Sequence, residues 1–211
     1  LHLNKHGNNI ASIIMEPLMQ GASGMRMCRG SFIERVVELV KEYDILVIFD
    51  EVMTGFYRTG TIFALDQTNI VPDFLCVSKG ITGGFLPLAL TIAKENIYKV
   101  FLGESFSEAF THGHSYTANP TACAASLAAF GLLTSPEIKK SVDTINITHK
   151  ECLKRFIQNS LPIHHVRILG TIAAFDLKKK ITWSDVQDLK KIFLSKGLLL
   201  RPLGNTIYLL P

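Results

Sequence analysis

Three short apolar runs, "DILVIFDEV" (44–52), "DFLCVSKG" (73–80) and "PLALTIA" (87–93), constrain what this chain can fold into more than any other feature of it. Each is apolar without alternation and bounded by charge, glycine or proline, the pattern of a strand covered on both faces of a parallel sheet. A fourth run, "IASIIMEP" (10–17), precedes them. Between it and the first, the spacing of Phe32, Val36, Leu39, Val40 and Tyr43 predicts an amphipathic helix from about Ser31 to Tyr43. After the third, "NPTACAASLAAFGLL" reads as an alanine-rich helix with Pro120 at its start. Strand alternating with helix predicts an α/β layered domain with a mostly parallel sheet, whose ligands sit at the carboxyl ends of the strands.

Ser135-Pro136 opens a second region. Ile138, Val142, Ile145, His149, Cys152 and Phe156 recur at three- and four-residue steps, which predicts one long helix with a single apolar face. Beyond it "VRILGTIAAFDL" is strand material and "WSDVQDLKKIFLSKG" a helix ending at Gly197. "LLLRPLGNTIYLLP" reads as two short strands around a Gly-Asn turn. The expected division is residues 1–134 as part of a large domain and residues 135–211 as a small α+β domain. The chain begins at Leu1 rather than at methionine and stops just after an apparent strand, so it reads as the C-terminal half of a longer protein.

Composition removes several function classes. The 22 basic and 18 acidic residues leave a formal charge of +4, but no basic stripe interleaved with aromatics appears, which argues against nucleic acid as a partner. Cys28, Cys76, Cys123 and Cys152 stand far apart with no CxxC pair, so no metal site and no disulfide framework is indicated, and a reducing cytoplasm suits them. No apolar run approaches the roughly 20 residues that a membrane span needs.

The chemistry gathers at the strand ends. Asp50 and Glu51 close one predicted strand and Lys79 closes the next, so a parallel pairing brings an acid and an amine to one edge of the sheet. A structural ion pair is one reading of that arrangement. The other follows from "GITGG" after Lys79, whose small residues leave room beside the amine and backbone N–H groups for an anion such as phosphate. A lysine in a walled, partly apolar pocket can act as a nucleophile toward a carbonyl, the requirement for a Schiff base with an aldehyde cofactor.

Together "FDEVMTGFYRTG", "VSKGITGG" and "HGHSYTANPTACAA" resemble the class III aminotransferases, pyridoxal-phosphate enzymes of fold type I. The resemblance runs from "MEPLMQGASGM" to the last residues. It implies pyridoxal 5'-phosphate as cofactor, Asp50 holding the proton on its ring nitrogen, Val52 against a face of the ring, and Lys79 as the Schiff-base lysine and proton shuttle. It also implies that Gly113, His114 and Ser115 belong to a loop reaching a neighbouring subunit's cofactor phosphate, hence a homodimer with shared sites. His114-Ser115 stands where many relatives have Pro-Thr, and serine keeps the hydroxyl. Glu16 and Gln20 match the family's "EP…QG" segment, with Glu16 expected in hydrogen bonds behind Asp50. Glu51 and His112 are expected to be structural, and Arg58 to form a loop ion pair.

Within the family, "GGFLPLALTI" and "LLLRPLGNTIYLLP" are similar to the biotin-pathway branch, which converts 8-amino-7-oxononanoate to 7,8-diaminononanoate. That likeness implies Arg201 as the cation for the substrate's distal carboxylate, and S-adenosylmethionine, or else lysine, as amino donor. Branches acting on ornithine, 4-aminobutyrate or other ω-amines share the earlier motifs and stay open. So does a catalytically silent chain, because the family's N-terminal Gly-Ser phosphate turn and ring-stacking aromatic do not occur in this sequence.

Overall fold

A computed structural model describes residues 2–211. A short helix, His2–His6 (α1), leads into strand Ser12–Met15 (β1), and a two-stranded ribbon follows, Met19–Gln20 (β2) and Arg26–Met27 (β3). Helix Gly30–Lys41 (α2) and strand Leu46–Asp50 (β4) come next, then a long loop to strands Phe74–Val77 (β5) and Leu90–Ala93 (β6) and helix Glu95–Lys99 (α3). Helices Pro120–Leu133 (α4) and Pro136–Gln158 (α5) precede strands Ile163–Leu169 (β7) and Ile172–Leu177 (β8), helix Trp183–Ser195 (α6) and strand Thr206–Leu209 (β9).

The main sheet has the order β1-β4-β5-β6. β1 and β5 flank β4 in parallel, with Asp50 opposite Cys76, whereas β6 returns antiparallel to β5. The parallel pairs follow the sequence expectation. The connection to β6 holds only a one-turn 3-10 helix and turns back at Gly83 and Gly84, both left-handed, without the crossover helix that a parallel return ordinarily uses.

α2 covers one face of this sheet. Ile33, Val37 and Val40 are buried against Val47, Phe49 and Leu18 in the largest core cluster. Phe32, expected on the buried face, is exposed, because the stripe that meets the sheet is centred one residue later. The strands are not covered on both faces either: every residue of β6 is exposed, as are Ile14 and Leu46. α4 is capped by the Asn119 side chain, which accepts from the N–H groups of Thr121 and Ala122, and carries Pro120 in its first turn. Of its residues only Ala122 is buried, and Leu127 and Leu132 are exposed.

The second region is a three-stranded antiparallel sheet, β7-β8-β9, covered by α5. "VRILGTIAAFDL", expected as one stretch of strand, is a hairpin turning at Gly170, whose φ of 55° is left-handed. "LLLRPLGNTIYLLP" supplies one strand and a single bridge, Leu203 to Thr206, rather than two strands. On α5 Leu153 is buried where Cys152 was expected, and Cys152 is exposed.

Two polar assemblies, one buried and one half-buried, lock these parts together. Glu51 is fully buried and accepts from the N–H groups of Ala64 (2.6 Å) and Leu65 (2.8 Å) and from the Thr54 hydroxyl (3.3 Å). Burial pushes its carboxyl up, and the two N–H groups draw it back toward the charged form. Arg167 on β7 donates through Nε to the carbonyl of Met25 (2.9 Å) and through Nη2 to Gly24 and to Asp176 (2.8 Å), joining the small sheet to the β2–β3 loop. Burial opposes the Asp176 charge, but hydrogen bonds from Arg167, Thr206 and His165 and the Arg167 charge bring its carboxyl down to about 2.

Glu51→Gln keeps the shape but turns an NH2 group toward one of the two backbone donors. We expect a loss of about 1–3 kcal/mol in denaturant unfolding, and an unchanged midpoint would remove Glu51 as the anchor of this loop. Asp176 has its carboxyl depressed on folding, so its contribution is present above the ordinary value of 3.8 and is lost as pH falls from 3.8 toward about 2. Asp176→Asn is expected to flatten the stability curve in that window, measured by unfolding at successive pH values.

Candidate active site

Adjacent parallel strands deliver the site. Asp50 is the last residue of β4, and Lys79 lies two residues beyond the end of β5, at the same edge of the sheet. The Asp50 carboxylate accepts the Val52 N–H at 3.0 Å, which fixes the turn out of the strand. Lys79 opens a one-turn 3-10 helix with φ 48°, left-handed for a residue with a side chain. Such a conformation costs about 1–3 kcal/mol and persists only where the surroundings impose it. Among the described residues Met25 and Phe56 are left-handed too, and all three line the same cleft.

That cleft has a volume of about 520 Å³ and lies between the main sheet's edge and the segment that carries β9. Lys79, Gly80, Val52, Phe56, Arg58 and Glu16 line it together with Arg201, Leu203, Tyr208 and Leu210 from the C-terminal segment. Three cations thus face a cavity with one carboxylate on its lining, a balance that suits anionic groups. Burial raises the Glu16 carboxyl most; the Gly21 N–H, donated to its Oε2 at 2.9 Å, lowers it, the Asp50 charge raises it and the Lys79 charge lowers it. Glu16 therefore feels both Asp50 and Lys79, but it lines the cleft itself and its carboxylate is bonded to Gly21 rather than supporting Asp50. Gln20 closes the same turn by donating to the Glu16 carbonyl.

Several expectations need correction. Lys79 is exposed at the edge of an open cleft rather than enclosed in an apolar pocket. The glycine segment after it does not offer a free row of donors, because the N–H groups of Ile81, Gly83 and Phe85 are spent on Ser78, Gly80 and Thr82 carbonyls. Arg58 makes no ion pair among the described residues. It donates to the Thr171 hydroxyl (3.0 Å) and the Pro211 carbonyl (2.7 Å), and burial lowers its guanidinium from the usual value. Gly113, His114 and Ser115, expected at a neighbouring subunit's site rather than at this one, lie away from this chain's cleft. They lie in a wholly exposed stretch, residues 101–118, where the His114 ring accepts the Tyr116 N–H at 3.1 Å. His112 is exposed there as well, its ring 5.8 Å from Phe110.

Sequence reasoning missed Phe56, Met25, Tyr208 and the cleft-facing role of Arg58, all set by loop conformation. One signal was available: the glycine after Lys79. A Cβ at Gly80 would lie 2.9 Å from Phe56, so only glycine lets the aromatic close the floor of the cleft beside the amine. The lining offers an amine for an aldehyde and the apolar Val52, while Asp50, a carboxylate suited to a ring nitrogen, ends the adjoining strand and is not itself on the lining.

Comparison with known proteins agrees with this geometry. The family model described as aminotransferase class-III matches residues 1–211. The adenosylmethionine-8-amino-7-oxononanoate aminotransferase of Synechococcus elongatus is 44% identical over 207 residues, 96% of this chain and 48% of that protein. The Helicobacter pylori enzyme of the same name is 39% identical, over 99% of this chain and 49% of its own length. Among solved structures, that of the Methanocaldococcus jannaschii enzyme of this name superposes with a TM-score of 0.91 at 33% identity, covering 99% of this chain and 50% of that one. An amine transaminase from an uncultivated Pseudomonas species, in its PLP-bound form, gives 0.89 at 30% identity, covering 99% and 49%. The chain spans about half the length of the curated relatives it matches. It belongs to the class III aminotransferases, a pyridoxal-phosphate-dependent family.

Proposed function

We propose that this chain forms the lysine-bearing half of an aminotransferase that converts 8-amino-7-oxononanoate to 7,8-diaminononanoate in biotin synthesis. The observation that carries the reading is that Lys79 and Arg201, far apart in sequence, line one cleft, with Asp50 at the adjoining strand end. An amine and a guanidinium in one cleft suit a substrate with a reacting carbonyl and a carboxylate. Eight relatives named for this reaction, 34–44% identical, support the branch.

Pyridoxal phosphate, when bound, supplies a cationic ring that accepts the electron pair of a breaking Cα–H bond. Lys79 Nζ would hold it covalently, Asp50 would keep its ring nitrogen protonated, and Val52 would pack against the ring. Lys79 Nζ is also the base that moves the substrate's Cα proton, and it reaches the cleft from a backbone already fixed in the left-handed conformation. Arg201 orients the far carboxylate, and Arg58 adds a second positive charge. No cradle for the phosphate is complete in this chain's cleft. The exposed Gly113-His114-Ser115 segment is proposed to supply donors to a partner subunit, with Ser115 Oγ as a hydrogen-bond donor, in a homodimer. The relatives' name points to S-adenosylmethionine as amino donor, with lysine as the competitor to test.

The test uses the full-length protein. Incubation with pyridoxal phosphate is expected to give a visible-edge absorbance band, and borohydride should trap the reduced cofactor on the peptide carrying Lys79. Both should vanish in Lys79→Ala, and trapping on any other lysine would refute the assignment. Arg201→Ala is expected to raise KM for 8-amino-7-oxononanoate about 10- to 100-fold, the worth of a charge-assisted hydrogen bond, with KM for the amino donor unchanged. Turnover of ornithine or 4-aminobutyrate without turnover of 8-amino-7-oxononanoate would leave the family intact and overturn the substrate.

A further inference from the structure

The outer edge of the small sheet carries a cluster that the aminotransferase chemistry does not use. His164 and Asp176 are register partners across β7 and β8, so their side chains leave the same face of the hairpin. His165, next in sequence, belongs on the opposite face of a regular strand. It is not there, because the ladder is bulged between His164 and Arg167 and His165 is left-handed, with φ 46°. The bulge swings its ring back beside its neighbour. The two imidazoles stack with centroids 4.2 Å apart, and His165 Nδ1 lies 3.1 Å from Asp176 Oδ2.

We propose that His164, His165 and Asp176 form a binding site for a divalent transition ion of the zinc class. One donor atom from each lies within 4.8 Å of the other two, and the 3.1 Å separation of His165 Nδ1 from Asp176 Oδ2 is close to the edge of a tetrahedral shell with bonds of about 2.0–2.1 Å. Two imidazoles and one carboxylate select zinc, nickel or copper over magnesium or calcium, which prefer oxygen-only shells. The outer support is already present. Asp176 Oδ1 is held by Arg167 Nη2 at 2.8 Å and by the Thr206 hydroxyl at 2.7 Å, while Oδ2 is paired with His165 Nδ1, a contact the ion would replace. Both histidines are exposed, so the ion has an open entry path and a remaining position for water. The Arg167 charge beside Asp176 opposes a cation and confines the affinity to the micromolar range. An ion there would brace the carboxylate that anchors Arg167 to Gly24 and Met25, and through them a wall of the cleft.

The proposal is independent of the aminotransferase reading and is tested without activity. The full-length protein, its thiols blocked by alkylation, is dialysed against Zn2+ alone, and bound metal is counted. His164→Gln and His165→Gln are made singly, since both side chains are exposed and lie outside the cleft; Asp176 is left intact because Arg167 depends on it. One zinc per chain at about 10 μM free ion is expected, with affinity falling at least about tenfold, 1.4 kcal/mol, in either variant. No bound zinc under those conditions, or binding that neither variant weakens, would overturn the site. Circular dichroism of each variant separates loss of ligand from loss of fold.

Discussion

Everything near the cleft depends on the parallel pairing of β4 with β5. Because Asp50 stands opposite Cys76, the chain leaves both strands at one edge, and the acid and the amine arrive there on rigid supports. Hydrogen bonds along a buried strand fix a side chain's origin far better than a loop does, and chemistry that moves a proton at one carbon requires that precision. The Val47 and Phe49 side chains, buried under α2, keep β4 from slipping, since a one-residue shift would turn its apolar set to the other face.

Around this pairing the loops are held in conformations they would not adopt alone. Met25, Phe56 and Lys79 all have positive φ and all line the cleft. The cost of each is met by burial and hydrogen bonding nearby. Glu51, immediately after Asp50, binds the backbone of Ala64 and Leu65 and so closes the loop that carries Phe56 and Arg58. Arg167 does the same for the Gly24-Met25 loop from β7. Two polar side chains outside the cleft thus shape it, the fully buried Glu51 and the half-buried Arg167, each bonded to backbone groups.

The exposed apolar surface has a consistent distribution. It concentrates in β6, the segment from Phe101 to Tyr116, and α4, while the face under α2 is well packed. Helix α4 is apolar on all sides, and a helix of that composition is stable in water only when surrounded. Continuous apolar runs announced strands covered on both faces. This half-length chain provides cover for one.

The linear order of residues carried a good deal. Unbroken apolar runs bounded by charge located β4, β5 and β6, Pro120 located the start of α4, and the meeting of Asp50 and Lys79 at one sheet edge followed from their places at the ends of neighbouring runs, while a chemical role for them and for Arg201 came only from the family resemblance. Local pattern could not say that β6 runs antiparallel, that Gly170 folds one apparent strand into a hairpin, or that Phe32 faces outward. Those outcomes depend on which surface each element meets. The cleft itself was invisible in sequence, since Arg58 and Lys79 lie more than a hundred residues from Arg201 and Tyr208 and meet them only when the small sheet docks. So was the meeting of His164, His165 and Asp176, which rests on a single bulge. Composition and periodicity determine what each segment is; which segments face one another is decided by long-range packing, where buried area and satisfied polar groups are summed over the whole fold.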